Sequence, residues 1–401
     1  MGEWKETYLG EYADVLNGFA FKSEDFSTKG VPVIKIKNVA SGKIKMDDVQ
    51  FYPHELTDKL NKFLILKGSI LIAMTGSHVT QPSSMVGRVS RYDLEYSSLL
   101  NQRVGKIYSK DLKKLNETFL YYFLVQNDVT LDLAINAGGS ANQANIAPEQ
   151  IKSIPISLPA IEEQKSIASI LSSLDDKIDL LHRQNKTLEA LAETLFRQWF
   201  VEEAKEGWET GTIENEFDFT MGQSPPGSSY NEDGKGIVFF QGRTDFGFRF
   251  PEPRVYTTEP NRLAKKFDTL ISVRAPVGDI NMAMEECCLG RGVAAFRYKY
   301  NPTFHTYTYY KLRSLMAQIK QFEDSGTVFG AIGKDDFKKL ENIVPPSHLI
   351  EKFQKQANSL DEKIFNNTNQ IHTLTRLRDT LLPKLMSGEV MVKDAEKKAI
   401  I

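Results

Sequence analysis

Arginine, lysine, glutamine, asparagine and small hydroxyl residues hydrogen-bond base edges and phosphates, and they do so from loops able to enter a groove. The chain sets such residues beside turn-forming ones in both of its halves. In the first half they are Lys22, Gln81, Gln102, Arg103, Ser140, Asn142 and Gln143, with Ser77 and His78 alongside. In the second they are Gln223, Arg243, Arg274, Arg291 and Thr327, with Ser224 alongside. Arg274 and Arg291 carry most weight. Arg274 precedes Ala-Pro and Arg291 lies between two glycines, so turn chemistry can offer either guanidinium to guanine or phosphate.

Catalytic patterns are missing. No G-x-x-x-x-G-K-[ST] phosphate loop occurs, which leaves ATP hydrolysis without a seat. The proline pairs Ser224–Gly227 and Val344–Ser347 lack the Asn/Asp and the aromatic residue that an adenine methyltransferase sets around them. His54, His78, His182, His305, His348 and His372 show no metal-ligand spacing. Cys287 and Cys288 are adjacent, unsuited to bridging each other and too few for a zinc site, which fits a reducing cytoplasm. The expectation is a non-enzyme with no cofactor or metal of its own.

With 401 residues, 41% hydrophobic and 25% charged, the chain suits several ordinary globular domains. No run approaches the ~18 apolar residues of a membrane helix, and the start has no signal-peptide pattern. The formal net charge of −2 argues against strong autonomous binding to nucleic acid. Residues 159–204 hold 5 Lys/Arg against 9 Asp/Glu, while 1–158 (18 against 17) and 205–346 (18 against 19) are near neutral. Affinity from phosphate neutralisation would then have to come from partners.

The elements that would position these residues are written twice. Ser173–Ile178 (SLDDKI) returns as Ser359–Ile364 (SLDEKI), an offset of 186 that also relates Pro159 to Pro345 and Thr194-Leu195 to Thr380-Leu381. Upstream the offset drifts, from 187 at Ser140 and Thr327 to 189 at Val104 and Val293, 199 at Leu71 and Leu270, and 204 at Gly18 and Gly222. Loops absorb length changes and packed helices do not. Each copy therefore reads as a variable α+β domain followed by a helix of fixed length. A heptad seam runs through Ile167, Leu171, Leu174, Ile178, Leu181, Leu188, Ala192, Leu195 and Trp199, with Asn185 in its one gap. The second runs through Phe353, Ala357, Leu360, Ile364, Ile371, Leu374, Leu381 and Leu385, interrupted by Asn367 and Arg378. Pro383 is expected to end or kink that helix.

The expected domains are 1–158, a long helix at 159–204, 205–346, a second long helix at 347–388, and a charged, disordered tail at 389–401. Strands are expected near Leu9–Leu16, Val31–Lys37, Ser69–Met74 and Arg103–Tyr108, with a helix over Leu115–Val125. The second domain echoes them at Ile237–Gln241, Thr269–Val273 and Gly292–Arg297, with a helix over Tyr307–Ile319. Helices of shared register favour pairing as an antiparallel coiled coil, which separates the domains by ~60 Å at 1.5 Å per residue and relates them by a pseudo-two-fold axis.

Gly18–Lys22 (GFAFK), Gly68–Gly76 (GSILIAMTG), Ile271–Asp279 (ISVRAPVGD), Leu289–Val293 (LGRGV) and the Gly-Ser and Gly-Thr loops before each helix resemble segments of type I restriction–modification target-recognition domains. The opening of the first long helix, with Glu163-Gln164 and Leu174-Asp175, resembles that family's helical region. The second helix has Leu349-Ile350 where Glu163-Gln164 stand, a departure that touches only a local cap or partner contact. The resemblance spans the chain except 389–401. It implies a DNA-specificity subunit in which each domain reads one half of an asymmetric bipartite target and the coiled coil sets the spacer. It also implies double-stranded DNA and two methyltransferase subunits as partners, an ATP-dependent translocase/nuclease joining them, and S-adenosylmethionine, ATP and Mg bound by partners only. The alternative is a coiled-coil scaffold whose domains bind proteins.

Overall fold

Short apolar runs bounded by turn residues become strands buried on both faces: Val31–Ile34, Ile70–Ala73 and Ser98–Leu100 in one half, Thr269–Ser272 and Cys287–Leu289 in the other. The computed structural model describes residues 4–53, 58–79, 81, 84–140, 143–205, 207–274, 276–324, 331–392 and 395. It divides into one unit of Met1–Asp179 with His372–Ile401 and another of Leu180–Ile371. Each long helix contributes to both.

In the first unit an antiparallel sheet runs Val89–Arg91, Ile70–Ala73, Val104–Ser109, Ala13–Asn17. A second sheet, Gln50–Tyr52, Val31–Ile34, Ser98–Leu100, Leu64–Ile65, contains one parallel pair, Val31–Ile34 with Ser98–Leu100. Val33, Ile34, Leu71, Leu99 and Leu100 form the core between them. Lys5–Tyr8 pairs with Pro155–Leu158, so the domain's first and last strands close on each other.

The second unit repeats this order with one added edge strand, Tyr230–Asn231. Its antiparallel sheet is Phe217–Met221, Val293–Tyr298, Thr269–Ser272, Ile280–Met282. Its other sheet, Tyr230–Asn231, Tyr256–Thr257, Ile237–Phe240, Cys287–Leu289, Leu263–Ala264, again has one parallel pair, Ile237–Phe240 with Cys287–Leu289. Glu209–Thr212 and Glu341–Val344 close it as before. Cys287 and Cys288 are free and buried in this sheet, and burial holds the Cys287 thiol well above its ordinary range, so it is unreactive.

Some boundaries differ from the sequence expectations for local reasons. The strand expected over Leu9–Leu16 is broken by a helical turn, Leu9–Tyr12, because the Leu9 N–H donates to the Ile154 carbonyl and that of Ala13 donates back to Leu9. The turn carries the chain from one strand partner to another, and Ile213–Glu216 does the same in the second unit. The helix expected over Tyr307–Ile319 is two, His305–Ser314 and Met316–Asp324, parted at Leu315. Helix Glu117–Leu124 is capped by Asn116, whose Oδ1 accepts from the Phe119 N–H at 2.9 Å.

The long helices are Ile161–Arg197, followed by a π turn at Gln198–Glu202, and Ser347–Met386. Within the second unit they run antiparallel: Asn185 meets Asn367, and Phe196 packs on Phe353 with ring centroids 5.5 Å apart. Within the first, Arg378 pairs with Asp175 at 2.8 Å. Pro383 does not end the second helix. It stands one turn from the natural stop, where Gly388 adopts φ +75°, so its missing N–H costs a single helical bond. The sequence predicts a disordered tail, but where described the tail folds back on the helix end: Glu389 pairs with Lys384 at 3.3 Å, the Val390 N–H donates to the Lys384 carbonyl, and Ala395 is buried.

Gln164, near the start of the first helix, accepts the Asn116 N–H and donates to the carbonyls of Lys114 and Pro159. In the second helix that position is Ile350, which is buried among apolar side chains. Gln354, one turn later, accepts the Tyr307 N–H at 3.0 Å instead. The altered opening of the repeat moves the cap by a turn and keeps it.

Candidate nucleic-acid interface

The same backbone framework is built at one rim of each unit. In the first, the Gly18 N–H donates to Val104 (3.1 Å), Phe19 to Leu100 (2.8 Å), Val104 to Asn101 (2.8 Å), Met74 to Arg103 (3.0 Å) and Ile146 to Met74 (2.9 Å). In the second, Gly222 donates to Val293 (2.9 Å), Gln223 to Leu289 (2.9 Å), Val293 to Gly290 (3.0 Å), Val273 to Gly292 (2.9 Å) and Ile332 to Val273 (3.1 Å). These bonds pin three turns together. Glycine is required at Gly18 and Gly222, because a Cβ there would stand 2.1 Å from the carbonyl oxygens of Asn101 and Gly290 respectively.

The correspondence sets Gln102 against Arg291, Phe19 against Gln223, and Thr75 against Arg274. Thr75 pairs in register with Asn145, and Arg274 bridges Ala331 in the same way. The rim side chains differ while their supports agree. Gln102, Arg103, Gln143, Gln223, Arg274 and Arg291 are all exposed. Among the described residues the guanidiniums of Arg103, Arg274 and Arg291 have no ion-pair partner. Groups of this kind, held on rigid turns, suit contact with bases or phosphates.

The other sequence candidates divide. Gln81 is exposed in the loop that follows Gly76, and its carbonyl accepts from the Ser77 hydroxyl at 2.9 Å. Ser77 itself is buried and also bonds Ser84, so it closes this loop and does not face outward. Lys22 follows the Gly18 turn and pairs with Glu24 at 3.4 Å. Ser140 lies in strand Gly138–Ser140, paired with Gln143. Asn142 and Thr327 lie outside the described residues. Arg243 is exposed, yet its guanidinium is engaged by Asp279 in a cleft of about 550 Å3 that also holds Glu193, Arg313 and Lys320. It is not a free reader.

Sequence reasoning missed the buried polar side chains that meet the long helices. Arg249 is 1% exposed, and Tyr122 and Tyr310 are also buried. The only sequence signal was indirect, an aspartate repeated inside two apolar seams. Among the described residues no group of three or more His, Cys, Asp or Glu is placed to hold a metal, and no helix is long and apolar enough to cross a membrane.

The duplicated domain with its long helices is similar to known proteins. Residues 1–190 match the type I restriction modification DNA specificity domain. Over 98% of its length it is 28% identical to a Methanocaldococcus jannaschii protein provisionally named the type I restriction enzyme MjaX specificity subunit, covering 94% of that protein. It is 22% identical to the Haemophilus influenzae type I restriction enzyme HindI specificity subunit, covering 97% of this chain and 100% of the relative. Its fold is similar to the crystal structure of a type I restriction–modification S subunit from M. genitalium, with a TM-score of 0.63 and 20% identity over 95% of this chain and 96% of the other.

Proposed function

We propose that this chain is the non-catalytic DNA-specificity subunit of a type I restriction–modification complex, its two rims each reading one half of an asymmetric bipartite target. The observation that carries this reading is the rim framework itself. Five matched hydrogen bonds hold corresponding turns in both units, yet Gln102 stands where Arg291 does. Glutamine is suited to adenine N6/N7 and arginine to guanine O6/N7, so equal supports with unequal side chains fit unequal half-sites.

The two long helices then act as a ruler, an antiparallel coiled coil that holds the domains apart and fixes the spacer between half-sites, as protein geometry does for other paired readers. Near-neutral domains grip phosphate weakly, so two methyltransferase subunits docked on this chain supply that grip and flip out the target adenines. S-adenosylmethionine, ATP and Mg are bound by the methyltransferase and the translocase/nuclease subunits, and the complex works in the cytoplasm.

Selection from random-sequence duplexes, with and without the co-encoded methyltransferase subunit, tests the reading. Enrichment of one two-part motif in the presence of the partner is expected. Enrichment of no motif under either condition contradicts it and favours a scaffold whose domains bind proteins.

A further inference from the structure

The repeated hexapeptide puts an aspartate at the same point of each long helix, Asp175 and Asp361. A carboxylate at the edge of an apolar seam is costly unless it is engaged; both oxygens of Asp175 are bonded, and Asp361 is held through Oδ1 alone. In the first unit the Tyr122 hydroxyl donates to Asp175 Oδ2 at 2.6 Å and Arg378 Nη1 donates to Oδ1 at 2.8 Å. Tyr122 belongs to the domain helix Glu117–Leu124, and Arg378 to the C-terminal helix. One carboxylate therefore joins a domain to both long helices.

The second unit builds an analogous junction through an arginine. Asp361 of the C-terminal helix binds the Arg249 guanidinium, which also reaches Glu189 of the central helix at 3.5 Å and donates to the Tyr310 hydroxyl at 2.8 Å. Arg249 lies over the Tyr309 ring, 3.5 Å from its centroid. Tyr121-Tyr122 and Tyr309-Tyr310 are matching edge-packed pairs, with centroids 5.1 and 5.2 Å apart. Arg91, 5.3 Å from the Tyr121 ring centroid, echoes Arg249.

Apolar contacts let a domain rock or slide on a helix at little cost. A hydrogen-bonded carboxylate that is buried, as Asp361 is, or mostly buried, as Asp175 is, does not, because another angle leaves it poorly solvated and unpaired. We propose that Asp175 and Asp361 are positioning residues that fix the angle of each recognition domain on the helical pair and thereby restrict the target to one spacer length. This rests on the bipartite-target reading above.

The test is genome-wide mapping of methylated sites for the full chain with its methyltransferase partners, in wild type, Asp175→Asn and Asp361→Asn. The expected result is that both half-site sequences persist while sites one base pair longer or shorter than the preferred spacer rise about tenfold relative to it. Tyr122→Phe, which removes one hydroxyl from the first cluster, is read the same way and decides the matter if an Asp variant fails to fold. Unchanged spacer selectivity in the folded variants, even with less methylation overall, overturns the proposal. Absence of any bipartite motif for the wild type overturns the underlying reading instead.

Discussion

Asn367 Nδ2 donates to Asn185 Oδ1 at 2.9 Å, and both side chains are buried, at 1% and 2% exposure. Each amide interrupts an apolar heptad seam, and the two interruptions face each other. An amide pair in a seam favours the register that mates it, at a cost in stability. Asn367→Leu leaves Asn185 without its main partner and should destabilise the protein by about 1–3 kcal/mol. The double Leu variant should recover that loss or exceed wild-type stability. Chemical denaturation of all four combinations gives the coupling directly, and additive effects would deny that the pair acts as a unit.

The glycine pair predicts equal effects in two domains whose offset has drifted. Gly18→Ala and Gly222→Ala each force a Cβ into a carbonyl oxygen, an overpacking that costs about 1–3 kcal/mol or more. Each should also blur only its own half-site. Thermal unfolding and methylation mapping on the two variants check both parts, and loss confined to one variant would show that the supports are not equivalent.

Arg291 and Gln102 test the rims. Arg291→Ala should cost about 1–3 kcal/mol of discrimination at one position of one half-site, and Gln102→Ala should do so at one position of the other. Motif enrichment with the assembled complex measures this. A uniform weakening across all positions, with a shallower salt dependence, would assign these side chains to phosphates.

Glu216 gives a pH signature. Burial raises its pKa above the usual 4.5, opposed by the Lys311 charge and by hydrogen bonds from Tyr307 and Asn342. For a carboxyl group raised in the folded state, the stabilising contribution is complete below the unfolded value and is lost as pH rises through the folded one. The stability of wild type relative to Glu216→Gln should therefore fall from pH 4 upward. A flat difference across titration monitored by urea unfolding would show that the carboxyl is as easily ionised folded as unfolded.

Much of this was legible in the sequence because repetition and hydrophobic period are both long signals. The locked offset of 186 pointed to the two helices, and Leu171, Leu174, Ile178 and Leu181 are buried as the seam requires. The turn glycines pointed to the rims, where Gln102 and Arg103 gather in one unit and Gln223, Arg274 and Arg291 in the other. The rest depended on three-dimensional partners that spacing does not encode. Arg243 looked like Arg291 in a turn, but Asp279, 36 residues on, claims its charge. Ser77 looked like a loop reader and is a loop closer. Arg249 carried no motif at all, because its meaning lies in Glu189 and Asp361, far along the chain in both directions.

The ruler is the central claim, and a heptad deletion tests it most directly. Removing seven residues from each long helix at facing positions shortens the pair by ~10 Å at 1.5 Å per residue, which is about three base pairs at 3.4 Å, and keeps the seam in phase. Methylation mapping of this variant with its partners should return both half-sites unaltered around a spacer about three base pairs shorter. Retention of the original spacer, with methylation intact, would contradict the account.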